Sequence, residues 1–196
     1  MKAPLFYSKI LLFDEYGIIK NSKGLSIPYN FFKGGFKIGS FENKNVKESN
    51  SNLIDFKNFL TKIDKSVVEF DFDKLEEDLK KGMFFDSSIP QGYGVGSSGA
   101  LVAALYDRYA LNKITVLENL TKPKILILKN IFSKMESFFH GKSSGLDPLN
   151  SYLSLPILIH SKNEIETTGI PSQSSNGKGA VFLLDSGMSS ETAPMV

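Results

Sequence analysis

Ten residues, Pro90-Gln-Gly-Tyr-Gly-Val-Gly-Ser-Ser-Gly99, constrain this chain more than any other stretch. They lie between Met83 to Ile89, which reads as a strand, and Ala100 to Leu111, a helix whose face is apolar enough to be buried. Glycines at 92, 94 and 96 permit positive φ and close backbone approach, so successive N–H groups can converge on an anion at the helix N-terminus. Phosphate is the anion that suits such a cradle. Ser97 and Ser98 fall at the helix start, where a hydroxyl can cap the helix or bind a phosphate or its magnesium ion.

Two other phosphate motifs compete for these residues. Gly94-Val-Gly-Ser-Ser-Gly99 matches the dinucleotide fingerprint G-x-G-x-x-G, with Glu118 about where a ribose-binding acid would stand, and so admits an NAD(P)-dependent oxidoreductase. Against it, Phe84-Phe-Asp-Ser-Ser-Ile-Pro90 is broken by polar residues and proline, unlike the buried parallel strand that opens a Rossmann unit. A Walker loop ending in Gly141-Lys-Ser would need a glycine where Glu136 stands.

A second segment, Glu136-Ser-Phe-Phe-His140-Gly-Lys-Ser-Ser-Gly145-Leu-Asp147-Pro148, can place two carboxylates together. Glu136 and His140 are four apart on one helix face, and the following loop can return Asp147 toward them. One carboxylate could hold magnesium while the other accepts or orients the proton of an attacking hydroxyl, the division of labour that phosphoryl transfer needs. Each residue alone has an ordinary structural explanation, as a solvated helix acid, a helix C-terminal charge or a turn residue. The nearby phosphate cradle favours the joint reading.

Elsewhere the pattern is of strands and helices interleaved. Phe6 to Phe13 is an apolar run broken by Ser8 and Lys9 and reads as a buried strand; Gly17, Asn21 and Gly24 follow as turn signals, and Gly35 to Phe41 reads as another strand. Leu53, Phe56, Phe59, Leu60 and Ile63 recur at helical spacing, while the polar stretch Phe41 to Asn52 before them reads as a solvated loop. Further helices are expected from Asp73 to a stop at Gly82 and from Pro123 to Phe139, with Gly141 just past the end. Short strands are expected at Leu155 to His160 and Ala180 to Leu184, with a loop at Thr167 to Lys178.

Composition narrows the partners. Net charge is +2 with acids and lysines interspersed, which does not make a nucleic-acid or membrane-surface footprint and suits a small-molecule substrate. No cysteine and two histidines leave no disulfide framework, thiolate nucleophile or zinc-thiolate site. The opening Met1-Lys2-Ala3-Pro4 meets polar residues too early for a signal peptide, and no apolar run approaches the roughly 18 residues of a membrane span. A cytoplasmic location is expected.

Three segments in order resemble the motifs of the GHMP kinases, the family of galactokinase, homoserine kinase, mevalonate kinase and phosphomevalonate kinase. Tyr7-Ser-Lys9-Ile-Leu-Leu-Phe-Asp-Glu15-Tyr-Gly17 is similar to the first motif, Pro90 to Ala100 to the glycine-serine ATP loop, and His140 to Pro148 to the H-G-x-P-S-G-x-D segment of mevalonate kinases. The resemblance implies an α+β fold, the amino-terminal domain of such a kinase with a mixed sheet packed with helices over residues 1–165. Residues 166–196 are then a linker and only the start of a C-terminal α+β domain. It implies ATP and Mg2+ as cofactors and transfer of phosphate to a small alcohol, most closely mevalonate; phosphomevalonate, a sugar or homoserine is the alternative acceptor, and a homodimer is admitted.

By the same resemblance Asp147 matches the catalytic aspartate and Lys9 the lysine beside it that favours an ionised nucleophile. Pro90, Gly92, Gly94, Gly96, Ser97, Ser98 and Gly99 match the ATP loop, Ser98 and Glu136 the magnesium ligands, and Glu15, His140 and Ser144 lie near the substrate. Lys9, costly in a buried strand, thereby gains a partner of opposite charge. The chain departs from the pattern at Phe13-Asp14, Tyr16, Gly99 in place of alanine and Ser143 in place of proline. Ser189-Ser-Glu-Thr-Ala-Pro194 reads as a capped helix start with no helix after it. A fragment is therefore expected, and residues 1–196 alone are expected not to turn over because one wall of the site would be absent.

Overall fold

The longest strand, β2 (Gly24–Ile38), organises the sheet because three of the other four strands pair with it. The computed structural model describes residues 4–13, 23–116, 120–161, 164–169, 184 and 187. β1 (Phe6–Phe13) pairs with β2 from Leu25 to Gly34, while β4 (Ile157–Ser161) pairs with its amino-terminal end and β3 (Met83–Ser87) with its carboxy-terminal end. β5 (Glu164–Thr167) extends the sheet beyond β4, and all of these pairings are antiparallel. No parallel β–α–β unit frames the glycine loop among the described residues, so the Rossmann reading of that loop loses its structural context.

The pairing of β1 with β2 is interrupted near its start. The register jumps from Tyr7 opposite Lys33 to Ser8 opposite Tyr29, and the fully buried Ser8 hydroxyl donates to the Tyr29 carbonyl at 2.8 Å. Polar Ser8 thus has a structural reason inside the apolar run. Gly24 begins this strand rather than marking a turn, so the strand expected at Gly35 to Phe41 is only the far end of a longer one that stops at Ile38.

Helices α1 (Lys44–Leu60), α2 (Phe72–Lys80), α3 (Ser97–Tyr109), α4 (Lys122–His140) and α5 (Leu146–Leu153) complete an α+β domain. Leu53 and Phe56 of α1, Val102, Leu105 and Tyr106 of α3, and Leu128, Phe132 and Met135 of α4 share one core with Phe6 and Met83 of the sheet. None of the described helices is long and apolar enough to cross a membrane. The strand expected at Ala180 to Leu184 and the helix start at Ser189 to Pro194 lie outside the described residues, Leu184 alone excepted, and it is not in a strand.

The polar stretch 41–52 was expected to be a loop, yet α1 occupies most of it. Asn43 starts the helix, its side-chain oxygen accepting from the N–H groups of Asn45 and Val46. The inward positions are then Val46, Asn50, Leu53, Phe56 and Leu60, at helical spacing. Asn50 hides the pattern: a polar residue holds a core position by donating to the carbonyls of Leu79 at 3.0 Å and Met83 at 2.7 Å. It clamps α1 to the turn between α2 and β3.

Replacing Asn50 by alanine should therefore lower unfolding free energy by about 1–3 kcal/mol, the usual penalty for stranding buried polar groups. Urea denaturation followed by circular dichroism measures this, and an unchanged midpoint would contradict the clamp.

Candidate active site

The glycine loop is held against the sheet by the residue that also carries its charge. The Lys9 backbone N–H donates to the Val95 carbonyl at 3.0 Å, tying the loop to the free edge of β1. Gly92, Gly94 and Gly96 take φ of 77°, 67° and 84°, the left-handed region in which side chains are strained. Gly96 ends the loop and α3 starts at Ser97, three residues earlier than its apolar pattern indicates. No side chain caps α3 at that start, so Ser97 and Ser98 leave the helix's first N–H groups facing the cleft.

That cleft has a volume of about 860 Å³. Pro90 to Ser98 form one wall, apart from Tyr93, and Asn45, Glu48, Ser49 and Asn52 of α1 form the other, with His140 and Asp147 between them. The α1 residues escaped notice in the sequence because their segment reads as a loop.

Asp147 enters through α5, a helix where the sequence pattern alone indicates a loop. Ser151 donates to the Tyr7 carbonyl at 2.5 Å and Asn150 to the Ser26 carbonyl at 3.3 Å, so α5 is tied to β1 and β2. Its first turn then presents Asp147 to Lys9, with Nζ 3.1 Å from Oδ1. Exposure separates the partners: the Lys9 side chain is 8% exposed and that of Asp147 35%, so only the carboxylate is offered to the cleft. The lysine that interrupted an apolar strand is a buried cation facing an acid at a helix N-terminus, where the dipole also favours negative charge.

Gly99 explains how the two helices come so close. A Cβ there would meet the Asp147 carbonyl carbon and the Pro148 nitrogen, both at 2.8 Å. These are backbone atoms with no room to turn aside. Gly99 is thus the contact point between α3 and Asp147, buried and outside the lining of the cleft.

Glu136, 3% exposed, occupies the last full turn of α4. Ser98 donates to its Oε1 at 3.2 Å, and Ser143 makes a short hydrogen bond to its Oε2. His140 Nε2 lies 3.1 Å from the Ser98 hydroxyl; with that proton directed to Glu136, the ring must present Nε2–H. Burial pushes the Glu136 carboxyl up to about 7, and the neighbouring Asp147 carboxylate adds to the rise, against the pull of Ser143, Ser98 and Lys9. A cation at this point would relieve that cost.

The donor set suits Mg2+, which binds protein through one or two carboxylates and takes its remaining oxygens from phosphates and water. The Glu136 carboxylate and the Ser98 hydroxyl, already adjacent, are hard oxygen ligands of that kind. No group of three or more acidic or histidine side chains able to hold a metal occurs among the described residues, so the phosphates would have to complete the shell.

Lys9, Asp147, Ser98, Glu136 and His140 thus converge. Ser144 does not: it is exposed, and its hydroxyl accepts from the Leu146 N–H at 3.3 Å. Glu15 lies outside the described residues. Ser143 also belongs to the site, through its hydrogen bond to Glu136, and its departure from the motif that His140 to Pro148 resembles is the signal in the sequence that marks it.

Residues 61–154 match the family model for the GHMP kinases N terminal domain. No curated protein matches the chain. Among solved structures, the Methanococcus jannaschii mevalonate kinase is similar at 21% identity and a TM-score of 0.49, over 85% of this chain and 55% of that one. The L. major mevalonate kinase in complex with R-mevalonate is similar at 18% and 0.44, over 81% and 48%. The mevalonate kinase of methicillin-resistant Staphylococcus aureus MRSA252 is similar at 19% and 0.44, over 83% and 53%. The chain spans about half the length of these structures.

The packing at Gly99 gives a test independent of any activity. Gly99→Ala should destabilise the fold by about 1–3 kcal/mol, as overpacking does, despite the better helix propensity of alanine. Chemical denaturation decides it; a variant at least as stable as the parent would show that α5 yields freely.

Proposed function

We propose, from the match of residues 61–154 to the GHMP kinases N terminal domain, that this chain's protein transfers the γ-phosphoryl group of ATP to the hydroxyl of a small alcohol, with mevalonate as the acceptor. The observation that carries the reading is the buried Lys9 ammonium 3.1 Å from Asp147, at the cleft whose wall is the glycine loop. A carboxylate in that place can take or orient the acceptor's proton, and a fixed ammonium beside it counters the negative charge gathering at the attacking oxygen.

The other residues divide the remaining work. Loop N–H groups and the α3 N-terminus bind phosphate oxygens, and Ser97 adds a hydroxyl at the same edge. Ser98 and Glu136 would hold Mg2+, which would supply charge to neutralise the phosphates. His140, exposed beside Ser98, is placed to meet the acceptor. The choice of mevalonate over a sugar, homoserine or phosphomevalonate rests on the segment His140 to Pro148, which resembles mevalonate kinases most.

The reading is checked by magnesium-dependent ADP release from the protein expressed from its complete reading frame, with mevalonate, phosphomevalonate, galactose and homoserine offered separately. Release with mevalonate alone is expected. Asp147→Asn should lower kcat by about 10²–10⁴ if the carboxylate handles the proton, and a loss under about threefold would remove Asp147 from that role.

A further inference from the structure

We propose that Ser143 is a positioning residue that holds the Glu136 carboxylate in the orientation from which it and Ser98 take a divalent cation; the inference rests on the kinase reading above. Both carboxylate oxygens of buried Glu136 are gripped by hydroxyls, Oε1 by Ser98 and Oε2 by Ser143. A cation arriving at Ser98 must take the oxygen electrons of that hydroxyl and of Oε1, so the Ser98 hydrogen bond gives way. The bond from Ser143 lies on the other oxygen and persists.

The direction of that bond is fixed by its surroundings. Ser143 Oγ accepts the Gly145 N–H at 3.0 Å, so its one proton is left for Glu136. The Ser143 carbonyl accepts from the Ser133 hydroxyl at 2.5 Å, one turn back on α4. Gly145 lets the turn lie flat on that helix: its φ is 73°, and a Cβ there would come within 2.2 Å of the Lys129 carbonyl oxygen. The turn after α4 therefore returns Ser143 to the carboxylate that stands seven residues earlier.

Proline, the residue of the related motif at this place, has no side-chain donor and would leave a buried carboxylate oxygen without its partner. Ser143 is therefore not a neutral replacement. Loss of a group that orients a ligating carboxylate typically costs about 10–100-fold in metal affinity.

The experiment titrates Mn2+, as a paramagnetic substitute for Mg2+, into the full protein with ADP, reading free Mn2+ by electron paramagnetic resonance. Ser143→Ala should weaken Mn2+ by about 10–100-fold while metal-free ADP affinity is unchanged, and Ser143→Thr, which keeps the hydroxyl, should restore much of it. Ser143→Pro should behave like the alanine variant and is the second test where that variant fails to fold by circular dichroism. In a Glu136→Gln background, Ser143→Ala should add nothing further. Parental Mn2+ affinity in folded Ser143→Ala or Ser143→Pro, with Glu136→Gln abolishing binding, overturns the role of Ser143 and leaves the kinase reading intact. Absence of Mn2+ binding by the parent overturns both.

Discussion

The site depends on one contact, the approach of a buried ammonium on β1 to a carboxylate at the start of α5. Lysine in a strand interior is expensive unless its charge is met, and unpaired burial would cost several kcal/mol. Meeting it requires α5 to be delivered to within hydrogen-bond reach of β1. Three features do so together: Ser151 bonds the Tyr7 carbonyl, Asn150 bonds the Ser26 carbonyl, and Gly99 removes the side chain that would stand between α3 and α5. Lys9 also ties down the glycine loop through its backbone. One residue therefore contacts both the glycine loop, through its backbone N–H, and Asp147, through Nζ.

Much of this was legible in the residues. The loop, its positive-φ glycines and the helix after it follow from spacing and from the conformational range of glycine. Lys9 announced itself as a charge in an apolar run. What escaped were features whose inward face is polar or whose length is short. Helix α1 has Asn50 at a core position, satisfied by carbonyls 29 and 33 residues away, and no local pattern encodes such partners. Helix α5 spans only Leu146–Leu153, below the length at which periodicity can be read, and is stabilised by its bonds to the sheet. Strand β2 was cut short because its bulge and glycines look like turn signals, although long-range pairing carries the strand through them.

Two of the departures from the family pattern, Gly99 and Ser143, have separate physical accounts. Gly99 acts by what it lacks, since any Cβ would collide with the Asp147–Pro148 backbone. Ser143 acts by what it adds, a proton for a buried carboxylate oxygen. Gly99 packs against the Asp147–Pro148 backbone and Ser143 bonds Glu136, and neither residue lines the cleft. They alter how the acids are held rather than what the cleft encloses.

The two carboxylates are also treated in opposite ways by their surroundings. Asp147 is partly exposed, faces an ammonium and stands at a helix N-terminus, conditions that suit a group needing contact with a substrate oxygen. Glu136 is buried, lies near the end of its helix and is held by neutral hydroxyls, and burial raises its carboxyl toward neutrality. A site with two acids in such unequal environments can give them unequal tasks. The exposed one meets the lesser barrier to working on the acceptor, whereas the buried one gains most from an added positive charge. On the proposed reading, metal binding relieves Glu136 and leaves Lys9 as the nearest fixed cation to Asp147, so the proton-handling group and the charge-neutralising group stay distinct although only a few side chains separate them.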